Sequence, residues 1–170
     1  MSAPTRPTPI SATVPRPELR AAGIVAILGL VVLGLGAVAG GAALVASPDG
    51  SGMGFSTSIL AGSPFPDFLV PGLILGGLFG VGSLATAFAG WRQARWAPFV
   101  AFGLGSGQMI WIVVQVAIIR ELSFLHPTMF GIGLVIAAAA VAWGWPTFAA
   151  WRAERRVPAT RGRRPGLEAR

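Results

Sequence analysis

The sequence predicts an all-α protein embedded in a membrane: a four-helix bundle with its N-terminus and its C-terminus both in the cytoplasm. Three observations carry that expectation. First, only 11% of the 170 residues are charged and 54% are hydrophobic. A water-soluble domain carries roughly 25% charged residues, and so little charge cannot cover an aqueous surface of this size. The mean hydropathy of +0.70 points the same way. Second, four apolar runs are long enough to cross a bilayer. Third, the arginines fall almost entirely on one side of those runs.

The first segment, residues 1–20, holds Pro4, Pro7, Pro9, Pro15 and Pro17. Proline at this density removes backbone donors and blocks helix, so a disordered cytoplasmic tail is expected. The first span then runs from Ala21 to Ala46 without a charge. At about 1.5 Å per residue it exceeds the roughly 30 Å hydrocarbon core. A cleaved signal peptide is the other reading, with small residues at Ala43 and Ser47. Signal peptides, however, have apolar regions of only about 7–15 residues.

A loop from Ser47 to Asp67 follows, rich in Gly, Ser and Pro, with two acids and no Arg. It also carries Met53, Phe55, Ile59, Leu60 and Phe65, so it is expected to lie in the interface or to cap the bundle. The second span covers about 68–90. Trp91-Arg92-Gln93-Ala94-Arg95-Trp96 closes it as an interfacial hairpin, rings at headgroup depth and charges in water. The third span covers about 98–119, and Arg120 to Pro127 form the next turn. The fourth covers about 128–151, crowded at its far end by Trp143, Trp145 and Trp151 and expected to bend at Pro146. The remaining segment, 152–170, is an Arg-rich cytoplasmic tail. Its beginning is expected to continue as an interfacial helix, and the part beyond Pro158 to be unstructured.

The arginines tie orientation to span number. Of thirteen basic residues, Arg6, Arg16 and Arg20 lie in the first tail, Arg92 and Arg95 in the hairpin and seven beyond Ala150. With four spans these segments share one side, and only Arg120 lies opposite. The positive-inside rule makes the crowded side cytoplasmic. An odd number of spans would put the two basic tails on opposite sides. A net charge of +7 could suggest nucleic acid. Basic tails beside a bilayer instead face anionic lipid, at about 1 kcal/mol of attraction per residue near the surface. The expected partners are therefore the bilayer, anionic lipid at the cytoplasmic face and a protein partner or second copy, not nucleic acid. Lys is absent and Gly and Ala abound, as in GC-rich bacterial genomes, so the expected location is a bacterial cytoplasmic membrane.

Several chemistries are excluded by composition. There is no Cys and a single His, so no disulfide, thiolate site or multi-histidine metal site can form. No phosphate loop, His-Glu-x-x-His or Ser-x-x-Lys pattern occurs. No cofactor, metal or catalytic group is expected.

Two internal patterns remain. Gly72, Gly76 and Gly80 lie four apart on the second span, Gly36 and Gly40 on the first, and Gly103 and Gly107 on the third. In lipid such spacing lets helices approach closely, within one bundle or between copies. Gln108 and Gln115, seven apart, share a face of the third span with Trp111 between them. A primary amide in hydrocarbon needs a partner, so this face is either polar glue between helices or a stripe lining a solute path. No intramembrane acid or Arg accompanies it, which argues against ion-coupled transport. On the other side of the membrane Asp67, Arg120, Glu121 and His126 cluster near helix ends. Helix capping and interfacial ion pairing are the simplest roles for them; acid–base chemistry is the sharper one.

The stretches Gly62 to Leu75, Trp111 to Ile119 and Phe124 to Pro127 resemble a loose group of small four-span bacterial integral membrane proteins. The resemblance covers about residues 49–140 and implies four spans. It places Asp67, Pro71, Trp111 and Gln115 in its recognisable segments and brings no role or activity with it. The expected function is a non-enzymatic scaffold or accessory subunit. The alternative is a small transporter or channel subunit for a neutral or lipid-like solute, and a lipid enzyme at the outer interface is a distant third.

Overall fold

Helix is the only spanning structure these apolar segments can adopt singly, because each backbone group must find its partner within its own segment. Residues 17–120 and 122–155 are described in a computed structural model. The Pro-rich segment 1–16, Glu121 and the tail 156–170 lie outside the described residues. Among those described there is helix and turn and no strand. α1 is Pro17–Ala46, α2 Leu69–Leu73, α3 Gly82–Trp91, α4 Ala97–Ile119 and α5 Leu125–Arg155. α2 and α3 are joined by a π-helical segment, Ile74–Val81, into one continuous span. Four helices are long and apolar enough to cross a membrane: Ala21–Ala46, Leu69–Trp91, Ala97–Ile119 and Leu125–Trp145.

Two boundaries differ from expectation. α1 begins at Pro17, so residues 17–20, expected in the unstructured tail, are helical. α5 starts at Leu125 rather than near Thr128, with Pro127 in its first turn. Proline is tolerated there because that turn's N–H groups have no intrahelical acceptor anyway. The backbone is helical on both sides of Pro146.

Consecutive spans pack antiparallel. α1 lies between the second span and α5, α4 lies between α5 and the second span, and α1 and α4 face each other across the diagonal. Leu30, Leu33, Phe79, Ala101, Leu104 and Ile136 fill the centre. A smaller cluster of Leu44, Leu60 and Phe68 closes one end. The Ser47–Asp67 loop thus caps the bundle. The Phe68 N–H donates to Pro48 O at 2.8 Å, and the Phe55 and Phe68 rings lie 6.0 Å apart. Gly50 sits beneath them at φ +83°, where a Cβ would stand 2.8 Å from the Phe68 ring. Met53 and Phe55 face outward, so the same loop also presents apolar groups at the interface.

Two seams bring backbones together. A methyl group on Gly41 would collide with the backbone of Gly76 and stand 2.7 Å from Gly72 O. On the same seam a Cβ at Gly80 would meet Val38 N at 2.9 Å, and one at Gly34 would meet Gly80 O at 3.1 Å. The second seam joins α4 to α5, where a Cβ on Gly105 would stand 2.7 Å from Gly133 O and one on Gly133 would stand 2.8 Å from Gly105 O. Gly72, Gly76 and Gly80 therefore pack as expected.

The other spaced glycines do not line these backbone seams. Gly36 and Gly103 have nothing within 4 Å of where a Cβ would be, Gly40 touches only Leu75, and Gly107 meets the Phe79 ring at 3.4 Å. α1 uses Gly34 and Gly41 instead. Their spacing of seven is close to two helical turns, which returns a residue to the same face more closely than a spacing of four. The second span keeps its spacing of four because the π segment widens the turn. With hydrogen bonds reaching five residues back, a turn holds more than four residues. The drift of a four-residue spacing in the π segment then opposes its drift in α-helix, and Gly72, Gly76 and Gly80 stay on α1.

Candidate functional site

The middle layer of the bundle holds its few polar side chains. Gln108 points inward from α4 and is 2% exposed; Ser83, just after the π segment, is 0% exposed. Gln108 Oε1 and Ser83 Oγ have no hydrogen-bond partner. Thr86, one turn on, is also buried, but its hydroxyl donates to Gly82 O at 2.7 Å. Ser83 was not singled out from the sequence, because hydroxyls in spans usually bond their own backbone as Thr86 does.

The Gln108–Trp111–Gln115 face runs from the core to the rim. Gln108 is enclosed, with its Cβ at the contact with Gly133 of α5. Trp111 is half-buried and stacks against Phe79 of the second span, ring centroids 5.9 Å apart. Gln115 is half-buried nearer the capped end. An apolar groove of about 400 Å³ lies between α1 and α5, lined by Val25, Leu28, Gly29, Val32, Gly131 and Val135 among others. Neither amide lines that groove.

The capped end carries Asp67, Arg120 and His126. Asp67 Oδ1 accepts the Leu69 N–H at 2.9 Å and so serves the start of α2. Arg120 ends α4 in the left-handed region at φ 58°, its N–H donating to Val116 O. The Ser123 N–H donates to His126 Nδ1 at 3.0 Å, and His126 N–H returns to Ser123 O at 3.1 Å. The His126 side chain thus takes up a backbone N–H just before α5, and an ordinary backbone turn closes the other way. Among the described residues no hydrogen bond or ion pair joins Asp67, Arg120 and His126. Asp49, in the same cap, accepts from both the Ser51 hydroxyl at 2.7 Å and the Ser51 N–H at 3.0 Å. Those bonds, the hydroxyl's first, hold its carboxyl below the usual value.

The opposite end carries the aromatic and basic residues. Trp91, Trp96 and Trp145 are exposed, and the Arg92 guanidinium lies 5.9 Å from the Phe88 ring centroid. The turn there is a Schellman motif: Ala94 N–H bonds Ala89 O and Gln93 N–H bonds Gly90 O, both at 2.9 Å. Gln93 takes φ 59° at the position where Gly is favoured.

Fold and site together define a glycine-sealed, four-helix membrane-spanning bundle with an unpartnered polar pair in its middle layer. No family model, curated protein or solved structure matches the chain.

Proposed function

We propose that this protein is a non-enzymatic membrane scaffold or accessory subunit that works by lateral association through α4. One observation supports the reading above others. α4 is the least enclosed helix, with 22% of its apolar window buried against 33% for the first and second spans. Gly103, Ile110, Val114 and Ala117 form a stripe along its uncovered side. Gly103 has open space where a side chain would be. A glycine gives lipid little to pack on, but it lets another helix come close. In this reading both termini face the cytoplasm of a bacterial cell, the Arg-rich tails rest on anionic lipid, and the exposed Trp residues mark headgroup depth.

The test is the state of the full-length protein solubilised from its native membrane. A defined homo-oligomer or a stoichiometric partner is expected. Gly103→Leu should abolish that association while leaving the thermal midpoint of the isolated bundle unchanged, since Gly103 touches no neighbouring helix. A wild-type protein that is monomeric and partnerless sinks the reading. So does association that ignores Gly103→Leu.

A second reading, a transporter or channel subunit for a neutral or lipid-like solute, draws on the unpartnered Gln108 and Ser83 atoms. The close Gly41–Gly76 and Gly105–Gly133 contacts weigh against it. Solute flux through reconstituted vesicles that Gln108→Leu stops would reinstate it.

A further inference from the structure

A polar atom in hydrocarbon without a partner costs more than one in a soluble core, because no water waits nearby to serve it. Two such atoms lie in the same part of this bundle. The pairing of the second span with α4 is antiparallel: Gly82 faces Leu104, and Phe79 faces Gly107. Side chains tilt toward the N-terminal end of their own helix. Ser83 therefore leans toward the Phe79 layer and Gln108 toward the Leu104 layer, so the two approach each other from opposite directions. Their oxygens remain without partners.

Gly82, next to Ser83 in the chain, is not tightly packed against α4. A Cβ at Gly82 would meet nothing nearer than Gly77 O at 3.8 Å and Leu104 Cδ2 at 3.9 Å. A methyl group therefore fits at Gly82, the chain neighbour of Ser83, in ordinary contact with Leu104. Leu104 is four residues before Gln108, on the same face of α4. Leu104 can thus shift toward Gly82, and such a shift would free space on the Gln108 face of α4.

We propose that Ser83 and Gln108 form an internal site for a small neutral hydrogen-bonding ligand, occupied by water in the resting protein. The ligand donates to Gln108 Oε1 and exchanges a hydrogen bond with Ser83 Oγ, which serves as donor or acceptor. Water suits the site because it is the smallest molecule able to bond both oxygens, and buried waters characteristically join such orphaned groups.

The experiment uses full-length protein, ¹⁵N-labelled at glutamine, in lipid nanodiscs, and reads cross-peaks between water and the side-chain amide protons. Gln93, Gln108 and Gln115 are the glutamines, so assignment by single substitution is direct. A water cross-peak at Gln108 is expected in the wild type. Gly82→Ala should remove it by filling the space into which Leu104 shifts, with an unchanged or higher thermal midpoint because the added methyl meets no close neighbour. Ser83→Ala should weaken it several-fold, and Gln115 should keep its own signal in both variants. A wild-type Gln108 without a cross-peak overturns the proposal, as does a cross-peak that survives both variants unchanged. A direct through-space contact between the Gln108 amide and Ser83 without water overturns it as well. None of these outcomes depends on lateral association, so this inference and the scaffold reading fail separately.

Discussion

The seam between α1 and the second span and the layer around Ser83 lie within three turns of each other on one helix, yet they treat the absence of water differently. Along the seam, Gly41, Gly72, Gly76 and Gly80 let backbones and apolar side chains such as Leu44 and Val38 come close, and backbone groups already bonded within their helices need nothing more. At the Ser83 layer, side chains with hydrogen-bonding capacity enter the interior and find no protein partner. In lipid, close approach does the work that burial from water does in soluble proteins. The seam is therefore intolerant of any added atom, whereas the polar layer tolerates added atoms and lacks added bonds.

The comparison is sharpened most by filling the seams. Gly41→Ala and Gly105→Ala should each cost about 1–3 kcal/mol of stability, the usual penalty of overpacking, read as unfolding of the reconstituted protein in mixed micelles. Should Gly41→Ala prove neutral, the seam is looser than its geometry says. Next comes the hairpin, remote from either region. Gln93→Gly relieves a left-handed residue and should stabilise by about 1 kcal/mol, measured in the same titration. Smaller again is Gly36→Ala on the open face of α1. It should stabilise by up to about 1 kcal/mol through helix propensity alone, and a loss there would mean that α1 has an unrecognised neighbour.

The smallest effect is the pH response of the cap. Asp49 is held below the usual carboxylate range by Ser51. A depressed folded value means its contribution is complete above the unfolded pKa of about 4. That contribution is lost as pH falls through the lower, folded value. Acidification should therefore lower the protection of the Ser51 amide, read as exchange relative to the intrinsic rate at each pH, while protection in α1 beside the Gly41–Gly76 contact stays put. Simultaneous loosening of both would tie the cap to the seam.

The spans were readable because hydropathy and length depend on sums over some twenty residues, which local detail does not disturb. The capping role of the Ser47–Asp67 loop was readable in Leu60 and Phe65, apolar residues with no reason to sit in water. Which glycines face which helix was only half readable. Gly72, Gly76 and Gly80 were found by a spacing rule for α-helix, although the segment carrying them is largely π-helical. The same rule selected Gly36 and Gly103, which face away from every neighbouring helix. The choice between Gly36 and Gly34 depends on where α1 is rotated, which no local pattern in an all-apolar run specifies. Ser83 was invisible for a related reason. Its meaning lies in its depth relative to Gln108, and that depth follows from the antiparallel pairing across the Gln93 turn.

The π segment also bears on how this chain can change in length. An insertion or deletion inside an ordinary spanning α-helix rotates everything beyond it by about 100° and turns one face away from its partners. A segment already wound more widely can absorb the lost residue by tightening. The stretch from Ile74 to Val81 is then the place where this bundle could have gained a residue, or could shed one, while Gly72 at one end and Ser83 at the other keep their neighbours.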